Sequence, residues 1–528
     1  MAKTPQPPAP PVKAVRKATV RRVEKAPAPT AVTPVPIAPA PTQTAVKAPP
    51  PVASKAPRPP LNPNAASPSG MREREALRLF TLAADLHRQG RLDDAIKGYA
   101  RALALDPRMA DAYNNLGVAL RSQKKFGAAV AAYRRSLTYR PDNPGVYSNL
   151  GNALRDANRM EESVAAHRRA VELADGSVEA VYNLALAQRD AGDLAAAMRG
   201  FEDVLRRQPD HVDCHWDRAL GFLVTGDLKR GFEEYEWRWK LDRSPPRQFP
   251  QPAWDGSALK GRSLLVHQEQ GFGDMIQFVR YLPILKRSHP DSTVILECQP
   301  ELARLFSGVP GADRVVVQGG SLPPFDVHIP LLSLARVFST SLETVPASIP
   351  YLRAPEMHSV HLPAPPDQLK VGLAWAGKPS HRNDRNRSVS FERFLPLLEV
   401  ADVFFFSLQK GESAADLDRL CTEALIMDIG PRMQDFADTA AALQQLDLLI
   451  GVDTSVVHLA GALGRPAWVL LPYSPDWRWL LDRADNPWYP SLRLFRQNHP
   501  GQWDDVFLKV RDALAEVARS RRRAGAAR

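Results

Sequence analysis

The chain has 528 residues, 44% of them hydrophobic and 24% charged, enough for about three packed domains at roughly 100–200 residues each. Of its net charge of +11, the first 70 residues carry +9 and the stretch from Arg519 carries +5; the body between them stands at −3, which argues against a basic nucleic-acid groove. There is no run of about 18 apolar residues to cross a bilayer and no apolar core of a secretory signal. Cys214, Cys298 and Cys421 are far apart and without CxxC spacing, so a reducing compartment, the cytoplasm, and the absence of a metal site are expected.

Residues 1–70 hold nineteen of the 49 prolines and a single acid, Glu24. Such a stretch cannot bury enough apolar surface to offset its chain entropy and is predicted to be disordered, either as a solubilising linker or as a weak contact to an anionic surface.

A 34-residue period then sets in. Pro107, Pro141 and Pro209 share one slot, with Asp175 in the intermediate position. Eight residues before each slot stand Tyr99, Tyr133, His167 and Phe201, and four further back Ala95, Ala129, Ser163 and Ala197. Leu82, Leu116, Leu150 and Leu184 are each followed by a small residue: Ala83, Gly117, Gly151 or Ala185. The pattern predicts paired antiparallel helices that approach closely at the small residues, with the aromatic slot filling the gap and Pro ending the second helix. It resembles the tetratricopeptide repeat: four clear units and a looser fifth within 71–243, ending in the aromatic run 235–239, read as a hydrophobic joint to the C-terminal half of the chain. The resemblance implies a concave face that binds a protein or peptide. Asn114, Asn115, Asn149 and Asn183 are candidates to clamp its backbone, or else solvated polar positions.

Beyond Trp254, short β-rich runs alternate with helical stretches. Strands are predicted at 263–267, 293–298 and 314–318, and a helix from about Asp274 to Arg287. Prolines between 350 and 366 mark a boundary, and further strands are predicted at 370–375, 404–408, 446–453 and 467–471. Apolar strands alternating with helices predict two parallel sheets, in halves 244–355 and 368–518, facing a cleft; a basic tail, 519–528, closes the chain.

Three loops carry the polar residues of that cleft. In 451–466 a buried strand runs into Asp453, Thr454 and Ser455, which open a helix with His458 one turn in; a helix N-terminus is an anion site, although an ordinary capped helix reads the same way. In 268–274, Gly271 and Gly273 allow close approach to a ligand, and Asp274 is either a general base at the cleft mouth or an N-cap. In 375–388, Lys378, Arg385 and Arg387 either neutralise a leaving diphosphate or form a solvated basic loop. Gln409 and Lys410, at the end of the next strand, point to the same cleft.

From Arg262 to Val517 the chain resembles glycosyltransferase family 9, the heptosyltransferases. Gly273-Asp274 matches the family's early turn. Asp453, Thr454 and His458 match its Asp-Ser/Thr-Gly-x-x-His helix start, with Ser455 standing where the family has glycine. Arg385 and Arg387 match its basic loop loosely, and 436–440 and 475–479 are typical of repeat-bearing relatives. The resemblance implies an α + α/β chain, a tetratricopeptide solenoid before a GT-B pair of Rossmann-like domains. It implies a metal-independent transferase that needs no cofactor and takes a nucleotide sugar as substrate. Asp274 would be its base, and the other named side chains would hold the donor. The repeat arm would hold a protein acceptor, flagellin in some relatives. A non-catalytic scaffold and a sugar-nucleotide epimerase are the alternatives.

Overall fold

The computed structural model describes residues 68–356, 360–381 and 383–526. The predicted disorder of residues 1–70 therefore lies outside the described residues, except that Pro68 to Gly70 begin the first helix.

Ten helices form five hairpins: α1 (Pro68–Arg88) with α2 (Leu92–Leu105), α3 (Ala110–Ser122) with α4 (Phe126–Tyr139), α5 (Pro144–Asp156) with α6 (Met160–Leu173), α7 (Val178–Asp190) with α8 (Leu194–Arg207), and α9 (Val212–Val224) with α10 (Leu228–Tyr235). The periodic residues act as their chemistry requires. Tyr99, Tyr133, His167 and Phe201 are buried. A Cβ added at Gly117 would lie 2.6 Å from the Tyr133 ring, and one at Gly151 would lie 2.5 Å from the His167 ring, so the small residue makes room for the aromatic one. The recurrent asparagines are not solvated: Asn114, Asn115, Asn149 and Asn183 are all buried. The Asn149 amide donates to Asn114 Oδ1 at 3.0 Å, linking α5 to α3, and the Asn114 amide donates to Asn115 Oδ1 at 3.2 Å, while Asn115 Nδ2 and Asn183 Oδ1 have no hydrogen-bond partner.

Two wholly parallel sheets come after the hairpins. The first has the order β3-β2-β1-β4, with β1 (Leu264–His267), β2 (Val294–Cys298), β3 (Arg314–Val317) and β4 (Val327–Pro330). The second has the order β10-β9-β8-β5-β6-β7, with β5 (Leu369–Ala374), β6 (Val403–Ser407), β7 (Ile426–Asp428), β8 (Leu448–Val452), β9 (Ala467–Leu471) and β10 (Leu492–Arg496). Chain order reverses between β1 and β4 and between β5 and β8. The loops that leave β1, β5 and β8 therefore open at the crevices where doubly wound sheets bind ligands.

The helix expected over 274–287 is broken. It runs from Phe272 to Phe278, tightens to a 3-10 turn at Val279–Tyr281, and resumes as Leu282–Ser288. Pro283 has no N–H to give to the preceding turn. The basic tail is helical through Ala526, in a helix that starts at Asp504. Its Arg521 pairs with Asp447 at 2.7 Å, so part of the +5 charge is used inside the fold.

One continuous apolar core joins Trp216, Leu223 and Phe232 of the last hairpin to the first sheet and to Trp477, Trp479 and Trp488 of the second half. The joint is only partly apolar, however. Tyr235 is buried against Trp216, but the next buried residue of the run is Arg238, which donates to both Glu269 oxygens at 3.0 Å.

Candidate active site

The loop after β1 ends at Gly271, the first residue before the Phe272–Phe278 helix. Asp274, three residues on, accepts the Gly271 N–H at 2.8 Å. Its second oxygen accepts from Arg478, which comes from the second α/β half. Arg478 is buried, also donates to Gln277 Oε1 at 2.7 Å, and bonds Asp476 at 2.9 Å. Asp274 is therefore neither a simple N-cap nor an unheld carboxylate. Each of its oxygens takes one oriented bond and keeps a lone-pair direction for another donor.

Facing it, β8 runs into Asp453 and Thr454, and the Ser455–Ala462 helix begins. Thr454 occupies the cap position by its backbone angles but makes no side-chain cap bond; its hydroxyl turns back to the Val452 carbonyl at 3.3 Å. The helix entrance is consequently not sealed by its own cap. His458 is buried, its Nδ1 lies 3.1 Å from the Tyr489 hydroxyl and its Nε2 3.7 Å from Asp453, and its ring stacks on Trp479. A Cβ added at Gly273 would lie 3.0 Å from His458 Cδ2. The glycine of the first half thus allows close approach to the histidine of the second. Burial pushes the Asp453 carboxyl up, but the hydrogen bond from His458 and the charge of Arg387 outweigh it and hold its pKa at about 2.

Arg387 belongs to this cluster. Its Nη1 donates to the Asp453 carbonyl at 3.0 Å, and its guanidinium lies over Gly377 where a side chain would clash. The rest of the basic loop goes elsewhere. Lys378 is exposed. Arg385 lies over the Phe126 ring of α4 at 4.8 Å, in the repeat arm. Gln409 is used up internally: its Oε1 accepts from the Trp375 and Ala376 N–H groups at 3.0 and 2.9 Å, and its amide donates to Ala376 and Lys410 carbonyls. The Lys410 ammonium donates to the Met433 carbonyl. Gln409 thus braces the start of the loop that leads to Arg387, and Lys410 holds the segment after β7.

Sequence reasoning assigned no role to Arg478, Trp479, Tyr489 or His381. The segment 475–479 stood out by its Asp-Trp-Arg-Trp composition. The contact of Arg478 with Asp274, 204 positions away, exists only in the folded chain. His381 is half-buried, its Nδ1 has no hydrogen-bond partner, and burial and the charge of Arg387 lower its pKa. Among the described residues, no group of three or more His, Cys, Asp or Glu side chains is arranged to hold a metal ion, and no helix is long and apolar enough to cross a membrane.

An arm of stacked hairpins precedes two parallel α/β sheets, with polar loops at both switch points, an architecture consistent with a repeat-bearing GT-B protein. The chain carries tetratricopeptide repeats, matched over 80–145, 125–178, 148–211 and 182–239, and a glycosyltransferase family 9 (heptosyltransferase) domain, matched over 395–499. The second match includes Asp453, Thr454 and His458; Asp274, Lys378, Arg385 and Arg387 lie before it. The chain is 28% identical over 330 residues to Protein FlbA of Caulobacter vibrioides, across 57% of this chain and 55% of that protein, so it spans about half the length of the curated relative it matches. Its repeats are similar to solved structures of YrrB, described as a TPR protein with an unusual peptide-binding site (21% identity, 34% of this chain, 95% of that one, TM-score 0.29), and of MamA from Desulfovibrio magneticus RS-1 (17% identity, 33% and 97%, TM-score 0.30).

Proposed function

We propose that this protein transfers a sugar from a nucleotide-sugar donor to a protein acceptor held by its repeat arm. The observation that carries the reading is the abutment of the two halves at one seam, with Gly273 against His458 and Asp274 bonded to Arg478. The donor diphosphate lies at the entrance of the Ser455–Ala462 helix, where Thr454, Ser455 and the first-turn N–H groups meet Arg387. Arg387 and the helix entrance stabilise the charge that grows on the departing diphosphate, and no metal takes part. Asp274 accepts the proton of an acceptor hydroxyl; the freed oxygen bonds the anomeric carbon as the bond from that carbon to the diphosphate breaks. Arg478 and the Gly271 N–H orient Asp274, and Tyr489 with Trp479 fixes the His458 ring beside Asp453. Lys378, Arg385, Gln409 and Lys410 act less directly: Gln409 shapes the loop, Lys410 holds the segment after β7, and Arg385 ties the loop to the arm. All three cysteines are free, which suits work in the cytoplasm.

The test is to incubate the purified full chain with a panel of nucleotide sugars and a captured acceptor, read by intact mass. A mass increment of one sugar on the acceptor is expected. Binding without turnover would favour a scaffold, and release of an isomeric nucleotide sugar an epimerase; either result ends the transfer reading.

A further inference from the structure

Between the repeat arm and the second half lies a cavity of about 490 Å³. The arm supplies the C-terminal ends of α3, α5 and α7 and the turns after them, while the loops after β5, β9 and β10 form the opposite wall. Contacts close its rim. Arg385 lies over Phe126, a Cβ at Gly192 would stand 2.6 Å from the Tyr473 hydroxyl, and one at Gly501 would stand 3.5 Å from the Asn158 amide.

The repeat period places an arginine at the end of each of these helices: Arg121, Arg155 and Arg189. Each reaches an acid of the following repeat, but unequally. Arg121 meets Asp156 at 2.5 Å and Arg189 meets Asp217 at 2.6 Å, whereas Arg155 approaches Asp190 only to 3.7 Å, because Arg189 already holds Asp190 at 2.9 Å. Arg155, which lines the cavity, is 8% exposed, and its Nη1 has no hydrogen-bond partner. On the opposite wall Gln497 is 6% exposed. Its Oε1 accepts from the Tyr473 and Gly501 N–H groups at 3.1 and 3.2 Å, and its Nε2 has no partner. Two buried donors on facing walls of one cavity lack an acceptor, which native interiors avoid unless something else supplies it. Charge points the same way. Lys124, Arg155, Arg189 and Arg385 line the space, and its two carboxylates, Asp156 and Asp190, are already paired with arginines. His381 lines it too and feels the charges of Asp453, Asp476 and Asp274, so the cavity adjoins the catalytic seam.

We infer that this cavity is the subsite for an acidic, extended segment of the acceptor polypeptide, whose backbone carbonyls and a carboxylate satisfy Gln497 and Arg155 while a nearby hydroxyl passes His381 towards Asp274. The inference rests on the proposed transfer only for the direction in which the segment points. A nucleotide is the poorer occupant. Neither Arg387 nor Thr454 and Ser455 of the helix entrance line the cavity, whereas the arm supplies much of its wall.

The test uses the full chain and fluorescence anisotropy with a labelled ten-residue peptide of alternating Ser and Asp, beside counterparts carrying Asn or Lys in place of Asp. The Asp peptide should bind at least tenfold tighter than the Asn peptide and weaken as salt rises, and the Lys peptide should not saturate. Arg155→Met should weaken the Asp peptide at least fivefold. So should Lys124→Asn, an exposed change that keeps the left-handed backbone in a tolerant residue. Both variants should keep their affinity for free nucleoside diphosphates within twofold. Equal binding of the three peptides, unchanged Asp-peptide affinity in both variants, or a loss of nucleotide affinity instead would overturn the proposal. Should the Asp peptide bind as expected while no nucleotide sugar gives transfer, the subsite stands and the transferase reading falls. Should transfer occur with the acceptor KM unchanged in both variants, the subsite alone falls.

Discussion

Asp274 and Arg387 make opposite demands on a variant series. In the proposed reaction Asp274 takes the acceptor proton and has no contact with the donor diphosphate, so Asp274→Asn, which keeps the side-chain shape, should lower kcat by about a thousandfold. Its affinity for a nucleoside diphosphate, measured by calorimetry, should stay within twofold; a variant with parental kcat removes Asp274 from the chemistry. Arg387 is asked to bind the donor. Lysine keeps the charge but loses the planar fork that reaches the Asp453 carbonyl, so Arg387→Lys should weaken the same nucleotide about tenfold. Its melting midpoint should be unchanged, because Arg387 ends a four-residue helix outside the apolar core. Asp453, held at about 2, remains a carboxylate at every pH at which the enzyme would be assayed. The stability it contributes is present above the ordinary value of 3.8 and is lost only as pH falls through 2.

Within the hairpins, one aromatic slot is occupied by a histidine. His167 is fully buried in α6 and neither ring nitrogen has a hydrogen-bond partner. Burial first, then the charges of Arg155 and Arg121, lowers its pKa to about 3. The unfolded chain binds this proton near 6.5, so the contribution is complete above 6.5 and shrinks by about 1.4 kcal/mol per pH unit between there and 3. His167→Phe, which copies the residue of the fourth unit, should flatten that acid limb. Urea midpoints at pH 7 and pH 5 measure it, and parallel losses in the parent and the variant would exclude His167 as the source. The hairpins were legible in the sequence because their packing is local and periodic. Strands such as β8, continuous and apolar, were legible for the same reason. β4 and β7 were not: β4, Val327–Pro330, mixes a histidine and a proline with its two apolar residues, and β7 has only three residues. β10, Leu492–Arg496, interrupts its apolar residues with arginines. The two halves of the site were legible as separate loops. Their junction was not, because Arg478 and Gly273 acquire their partners only when the halves meet.

At the scale of the molecule, the question is what fixes the arm to the enzyme. Besides the apolar core, ionic contacts do so: Glu236 pairs with Arg336 at 3.8 Å, and the more buried pair is Arg238 with Glu269. Arg238 donates to both oxygens of Glu269 and to Ser333 Oγ at 2.8 Å, and Glu269 also accepts the Leu332 N–H at 2.9 Å. Glu269 stands in the loop that leads to Asp274, and the next residue, Gln270, donates to the Tyr235 hydroxyl at 3.1 Å, so the last turn of the arm holds that loop. Burial pushes the Glu269 carboxyl up and Arg238 opposes it. Removing Arg238 alone strands a buried carboxylate, and Arg238→Met should cost about 3–5 kcal/mol at pH 8. The cost should be smaller at pH 5, because acid lets Glu269 take up a proton and shed its unpaired charge. Adding Glu269→Gln should recover most of the loss at pH 8, since an amide in the same place carries no charge to desolvate. Urea unfolding of the parent, both single variants and the double variant at the two pH values closes the cycle. An Arg238→Met penalty that is the same at pH 5 and pH 8, or that Glu269→Gln does not relieve, would mean that the arm is held by its apolar contacts alone.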